Sequence, residues 1–359
     1  MNDVIKKRFE KVSNLIRNMG LDGLYITNIT NIRYLTGFTG SAAILLIIKD
    51  KCYFISDGRY TKQASEQVYN AKISIIEKSY FDTIKNLKIL KDHYKLGFES
   101  NNISFTNHKT LIEAFPRIDW HATKSVIENV QSIKDKYEIN SLQKAAEITD
   151  YVFEKIINEI KVGLTEKYIA ARIAFLFKTN GAEGESYDSI IASGPNAALP
   201  HARPSDRKFT KGDFIVMDFG ALFEGYHADM TRTVMIGNPT QKHQEIYDIV
   251  LKSQTSGISH CKSGVKCSEV DRACRSVINQ CGYGDFFNHS TGHGIGLEVH
   301  TLPRIHHNNQ ELLKTNQVIT IEPGIYIPDW GGVRIEDDCL INDNDCSVLN
   351  KSTKELISL

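Results

Sequence analysis

Two acids, Asp218 and Asp229, stand eleven residues apart, and the midpoint between them falls at Phe223–Glu224, beside Gly225. A turn there folds the chain back and brings the carboxylates nearly opposite, on one face, with Cβ atoms about 4.5–5.5 Å apart. Asp218 also interrupts the apolar run Phe214–Phe219. An ionised carboxylate in such a place is costly unless it is paired or bound to a cation. The construction recurs at Glu322 and Glu336, which centre on Asp329 in a stretch rich in Pro and Gly and follow the apolar runs Val318–Ile321 and Val333–Ile335. Four acids in two pairs repel at close range unless cations neutralise them. Salt bridges could serve one pair; two such hairpins point to metal.

Between the hairpins lies His289-Ser290-Thr291-Gly292-His293-Gly294-Ile295-Gly296-Leu297-Glu298-Val299-His300. Its glycines at 292, 294 and 296 allow tight backbone approach. One neutral imidazole with four carboxylates is an oxygen-dominated donor set that suits Mn²⁺, Co²⁺ or Zn²⁺, with Mn²⁺ the expected ion. Four carboxylates are enough to share two ions, and a metal pair can activate a bridging water and stabilise a tetrahedral intermediate. The chain has no HExxH, and its Gly-rich run lacks the GxxxxGK[ST] form of a nucleotide loop, which sets an ATPase aside. A further histidine, His201, ends the turn-rich stretch Gly194–His201.

These groups need a scaffold. Residues 3–19 place Ile5, Phe9, Val12, Leu15, Ile16 and Met19 on one helical face, with Gly20 as a stop. Strands follow at Leu24–Thr27, Ala42–Ile48 and Cys52–Ser56, the last two a hairpin, and helical and strand patterns alternate to about residue 122. That order predicts a small α/β domain with a mixed sheet over residues 1–122. Over 123–359, Ser141 is expected to cap a helix to about Glu159, and a second helix starts near Thr165. Strands are expected at Ser189–Ala192, Phe214–Phe219 and His227–Ile236. The scheme then repeats, with helices at about 242–260 and 267–280 and strands near Leu297–Val299, Val318–Glu322 and Val333–Ile341. Two topologically similar halves are expected.

The bulk composition narrows the function. A chain of 359 residues exceeds one ordinary core. Lys+Arg and Asp+Glu are both 43, so no net field steers polyanions or acidic membranes to it, and nucleic acid and membrane are not expected partners. The stretch Asp3–Met19 is charged and holds no signal-peptide core, and no apolar run is long enough to span a bilayer. Seven cysteines form no CxxC pair, and Cys267, Cys274 and Cys281 recur every seven residues, as on one helix face. Buried thiols in a reducing, cytoplasmic compartment are expected.

These motifs carry a specific resemblance to the metallopeptidase family of aminopeptidase P, prolidase and methionine aminopeptidase, whose catalytic domain is the pita-bread fold. The carrying segments are MDFG with Asp218, HADMTRT with Asp229, HSTGHGIGLEVH with His293, TIEPGIY with Glu322 and GVRIEDD with Glu336. The resemblance to the proline-peptidase branch extends over nearly the whole chain. It implies an α/β N-terminal domain like that of creatinase and prolidase, marked by Arg33–Ser41 and Asp57–Tyr60, before an α+β pita-bread domain with pseudo-twofold halves. It implies five metal ligands: Asp229 and Glu336 bridging two ions, Asp218 serving one, His293 and Glu322 the other. Glu322 would also move the proton of the nucleophilic water. His201, His289 and His300 would lie near the scissile bond as non-ligands, and Arg334 would orient a bridging carboxylate. Thr301 departs from the branch, which often has Glu there.

The implied activity is hydrolysis of the Xaa-Pro bond of short proline-containing peptides. A dipeptidase is the first reading and an aminopeptidase on longer peptides the second. A metal-free creatinase-like activity and an inactive binding protein sit poorly with a full ligand set. Nothing in periodicity identifies proline; that preference comes from the resemblance. So does a homodimer built through or near the first domain, which would gate the cleft.

Overall fold

Asn2–Asn18 forms the first helix of the computed structural model, which describes residues 2–359. The helix buries Ile5, Phe9, Val12 and Ile16. Met19, expected on that face, is 49% exposed, because the helix has already ended and Gly20 turns the chain with φ +72°. A six-stranded mixed sheet follows, in the order Lys72–Ile75, Lys51–Ser56, Ala43–Ile48, Gly23–Ile26, Lys95–Glu99, Asp119–Thr123. Ala43–Ile48 pairs antiparallel with both its neighbours, one of these pairs being the expected hairpin, and the other three pairs are parallel. This unit ends at Gln131, and the second comprises Ser132–Leu359.

In the second unit the long helix Lys136–Ile156 starts earlier than expected, with Asp135 and not Ser141 at its cap. Asp135 Oδ1 accepts from the Glu138 amide and Glu138 Oε2 from the Asp135 amide, at 3.0 and 3.1 Å. A residue pair that satisfies two orphan amides outcompetes a lone serine. Ser141 is instead buried within the helix and donates to Glu224. Helix Glu166–Thr179 starts where expected, and Thr165 caps it.

Both helices pack on the sheet of Ile190–Ser193, Phe214–Phe219 and Met230–Met235. Val152, Ile156, Ile173 and Phe177 meet Ile215, Met217 and Phe219 in one core. Side chains alternate along a strand, so Asp218 points away from that core.

The second half repeats the plan. Helices Gln241–His260 and Cys267–Gln280 cover a five-stranded sheet ordered Thr301–Ile305, Gly292–Gly294, Val318–Ile321, Asp337–Ile341, Cys346–Val348. Ile319, Ile321, Cys339 and Ile341 face the helix side, and Thr320 takes the other. The strand expected at Leu297–Val299 is absent; those residues are irregular and the strand begins at Thr301.

Candidate metal centre

Glu224 and Gly225 turn the first hairpin with φ 49° and 77°, and Phe223 pairs with Tyr226. The same register runs on to Asp218 opposite Thr231. The turn therefore centres one residue later than expected, and Asp229 falls across from Gly220 instead of Asp218. The slip in pairing is even, so both acids keep one face. Gly220 is required there, since an added Cβ would lie 1.7 Å from the Ala228 carbonyl oxygen. The hydroxyl of Tyr187 meets both Asp218 and Asp229. One phenolic proton cannot serve two ionised carboxylates.

The second hairpin follows its expectation. Asp329 turns it with φ 61°, Gly324 pairs with Arg334, and Ile321 with Asp337. One register spans both segments and sets Glu322 opposite Glu336. The hairpins are tied edge to edge: the Glu336 amide donates to Thr231 O at 3.1 Å, and Thr233 Oγ1 donates to Arg334 O at 2.9 Å. Buried Arg232 crosses the seam, bonding Asp337 Oδ1 and Glu336 O, both at 2.6 Å.

His293 enters from the short strand Gly292–Gly294, which passes so close to its neighbours that an added Cβ at 292 would sit 1.9 Å from Thr320 O and at 294 2.1 Å from Leu302 O. Gly296 has no such constraint; its nearest contact would be 3.5 Å away. His293 Nδ1–H donates to Gly294 O at 3.1 Å, which leaves the Nε2 lone pair facing Glu322 Oε1 at 3.6 Å and Asp229 Oδ2 at 3.7 Å. Burial, then His300, pushes the imidazole down to about 4, so it is neutral. A lone pair aimed at carboxylates is an arrangement that a cation resolves. Asp229, His293 and Glu336 each bring a ligand atom within 4.8 Å of the others.

The electrostatics agree. Burial and then Asp218 hold the Asp229 carboxyl well above its usual range. Burial and then Asp229 do the same to Glu336. Glu322 is pushed up to about 8, by burial first and against the pull of Arg334. Arg334 Nη2 bonds Asp218 Oδ2 at 2.5 Å. It reaches Glu336 only through Thr231, which accepts from Arg334 Nε at 3.0 Å and donates to Glu336 Oε2 at 2.6 Å. Arg334 thus pairs directly with Asp218, where a bridging carboxylate was the expected partner. One guanidinium does not balance four carboxylates, and the donor set fits divalent cations.

The other histidines gather nearby. His289 Nδ1–H donates to Ser290 O at 2.8 Å, and Nε2 accepts from Tyr326 OH at 2.9 Å; Tyr326 accepts in turn from Arg334 Nη1 at 2.9 Å. Burial and Arg334 lower His289 to about 4. His300 packs edge-on to His293 with ring centroids 4.3 Å apart, and burial, then His201, lowers it. His201 is exposed and electrostatically close to both His289 and His300.

Among the aromatic residues around the site, Tyr187 and Tyr326 put hydroxyls into it. Phe219, Tyr226 and Trp330 fill hydrophobic cores. Thr231 and Asp338, whose Oδ2 accepts from the Asp229 amide at 3.0 Å, were not anticipated. Thr231 could have been found, because it stands two residues beyond Asp229 on the same strand face.

The chain matches Metallopeptidase family M24 over residues 140–343. It belongs to that family. Residues 8–133 match the Creatinase/Prolidase N-terminal domain. An Xaa-Pro dipeptidase of Pyrococcus furiosus is 38% identical over 98% of this chain and all of its own. The solved structure of an Xaa-Pro dipeptidase from Bacillus anthracis superposes with TM-score 0.96 at 39% identity, covering 99% of this chain and 100% of that one. The X-Pro aminopeptidase from Thermotoga maritima gives 0.88 at 35% identity, with 96% and 100% covered. The expected fold, a creatinase/prolidase-like domain followed by a pita-bread domain, holds, and the chain is a metal-dependent hydrolase. Among the described residues no helix is long and apolar enough to cross a membrane.

Proposed function

We propose that this enzyme hydrolyses the Xaa-Pro bond of dipeptides, with two divalent ions, Mn²⁺ the preferred pair, held by Asp218, Asp229, His293, Glu322 and Glu336. The observation that carries the reading is the buried convergence of Asp229 and Glu322 on the unprotonated Nε2 of His293, with Glu336 in the same cluster. The dipeptidase relatives, matched from end to end, supply the substrate class. When bound, the ions would acidify a water and polarise the scissile carbonyl.

The protein's own groups do the rest. Glu322 takes the proton of the attacking water and passes it to the leaving imide nitrogen. His201 and His300 donate to the substrate carboxylate and the developing oxyanion. His289 has both ring nitrogens engaged, so it acts as a positioning residue that fixes Tyr326, and through it Arg334 and Asp218. The proline nitrogen has no N–H, so selectivity comes from ring shape and not from an amide donor.

The aminopeptidase reading stays second, supported by the Thermotoga maritima match. We also propose a cytoplasmic homodimer whose first domain limits peptide length. A panel of Ala-Pro, Ala-Pro-Ala and Ala-Ala with metal added tests the assignment. Fast turnover of Ala-Pro alone supports the dipeptidase, equal turnover of Ala-Pro-Ala the aminopeptidase, and preference for Ala-Ala refutes both.

A further inference from the structure

Glu166 opens the helix Glu166–Thr179, a place where an acid ordinarily faces water and complements the helix dipole. This one is fully buried. Its Oε1 accepts from the Ser193 amide and hydroxyl, both at 2.7 Å. Its Oε2 accepts from the Ser205 amide at 2.9 Å and the Ser205 hydroxyl at 2.6 Å. Asn196 Nδ2 donates between the two oxygens, at 3.1 and 3.2 Å. The direction of both serine hydroxyls is set, because each accepts from Arg207: Ser193 Oγ from Nη1 at 2.7 Å and Ser205 Oγ from the backbone amide at 3.1 Å. Asp213 holds that guanidinium in turn, through bonds of 2.6 and 2.9 Å.

Between Ser193 and Ser205 runs the loop that carries His201, so one carboxylate fastens both of its ends. The loop is also attached beside the proposed ligands. Pro200 O accepts from Arg334 Nη1 at 3.3 Å. The backbone lies so close to strand Gly331–Arg334 that an added Cβ at Gly332 would sit 2.1 Å from Ala197 O. His201 itself is exposed, so the path of the loop, and not packing around the ring, decides where its imidazole stands.

We infer that Glu166 is a positioning residue for the reaction, the clasp that sets His201 where it can donate to the substrate. The inference rests on the donor role proposed for His201. A loop with one end loose spreads over many conformations, and a donor misplaced by about 1 Å can cost about a hundredfold in rate. Glu166→Gln keeps the size of the side chain and removes one acceptor. Whichever end its NH2 group faces presents a backbone N–H that cannot reverse, so donor meets donor and that end is released.

Wild type, Glu166→Gln, His201→Ala and the double variant are compared as full-length, Mn²⁺-loaded proteins, for Ala-Pro hydrolysis, metal content and hydrogen–deuterium exchange. Glu166→Gln is expected to keep its metal, to exchange faster over residues 193–205, and to lose about a hundredfold in kcat. The double variant is expected to be no slower than His201→Ala, because a clasp that acts only through His201 has nothing further to lose. A purely structural role would add its own loss to that of His201→Ala. Ser205→Ala, which removes one donor and keeps the carboxylate, should give the same pattern at smaller amplitude, and it carries the test if Glu166→Gln does not fold. Normal kcat or lost metal in Glu166→Gln, or additive losses in the double variant, would overturn the inference while the role of His201 stands. Normal kcat in His201→Ala would overturn both.

Discussion

Stripping the metal from this protein should make its stability fall with rising pH across neutrality. Burial raises Glu322 from an ordinary 4.5 to about 8. A carboxyl whose folded pKa lies above its unfolded value stabilises the fold fully below the unfolded value, and that contribution is lost as pH climbs to the folded one. His289 and His293, held down near 4, act oppositely, adding stability as pH rises from about 4 to their unfolded value near 6.5. The clean window is therefore pH 6.5 to 8. There Glu322 alone costs about 1.4 kcal/mol per pH unit, or about 2 kcal/mol in all. Asp229 and Glu336, shifted in the same direction, can only steepen the fall. For a unit of this size that corresponds to a melting temperature lower by about 4–8 °C. Thermal unfolding of chelated protein at pH 6.5, 7.25 and 8, beside metal-loaded protein, reads it directly. The loaded form should stay flat, because the ions hold the carboxylates ionised. A chelated protein equally stable at both ends of the window would refute the buried-acid argument.

Arg334→Met should weaken metal binding about 10–100-fold, since it frees both Asp218 and Tyr326; metal titration calorimetry measures this. Arg232→Met should destabilise the second unit by about 3–5 kcal/mol, because it strips Asp337 of its closest cation within the seam between the hairpins, while activity per folded molecule persists; urea unfolding with parallel assays checks both. His201→Ala and His300→Ala should each retain metal and lose about two to three orders of magnitude in kcat; normal turnover at full metal content would remove the role from that residue.

Much of the site was legible because its acids interrupt apolar strands at spacings that a hairpin converts into proximity. Glu322 and Glu336 met as read, since one register runs from Val318–Leu340 through Gly324–Arg334. Asp218 and Asp229 did not meet directly, because the turn uses Glu224 and Gly225 in left-handed conformations, and spacing alone does not reveal which two residues will turn. Asp135 capping the long helix was missed for a related reason: two acids three residues apart read as surface charge until their amides are known to be unpaired. Tyr326, Thr231 and Asp338 act through side chains brought together from separate strands, and their types fit many environments. Cys281 was expected to share a buried face with Cys267 and Cys274, yet it is exposed, because the helix ends at Gln280.

The most direct test of the central claim is a titration of chelated protein with Mn²⁺, following bound metal and Ala-Pro hydrolysis in the same samples. Turnover should be absent without metal, rise as sites fill, and level off near about two ions per chain, the stoichiometry at which a metal pair can act together. Hydrolysis of Ala-Pro by rigorously metal-free protein would contradict the account.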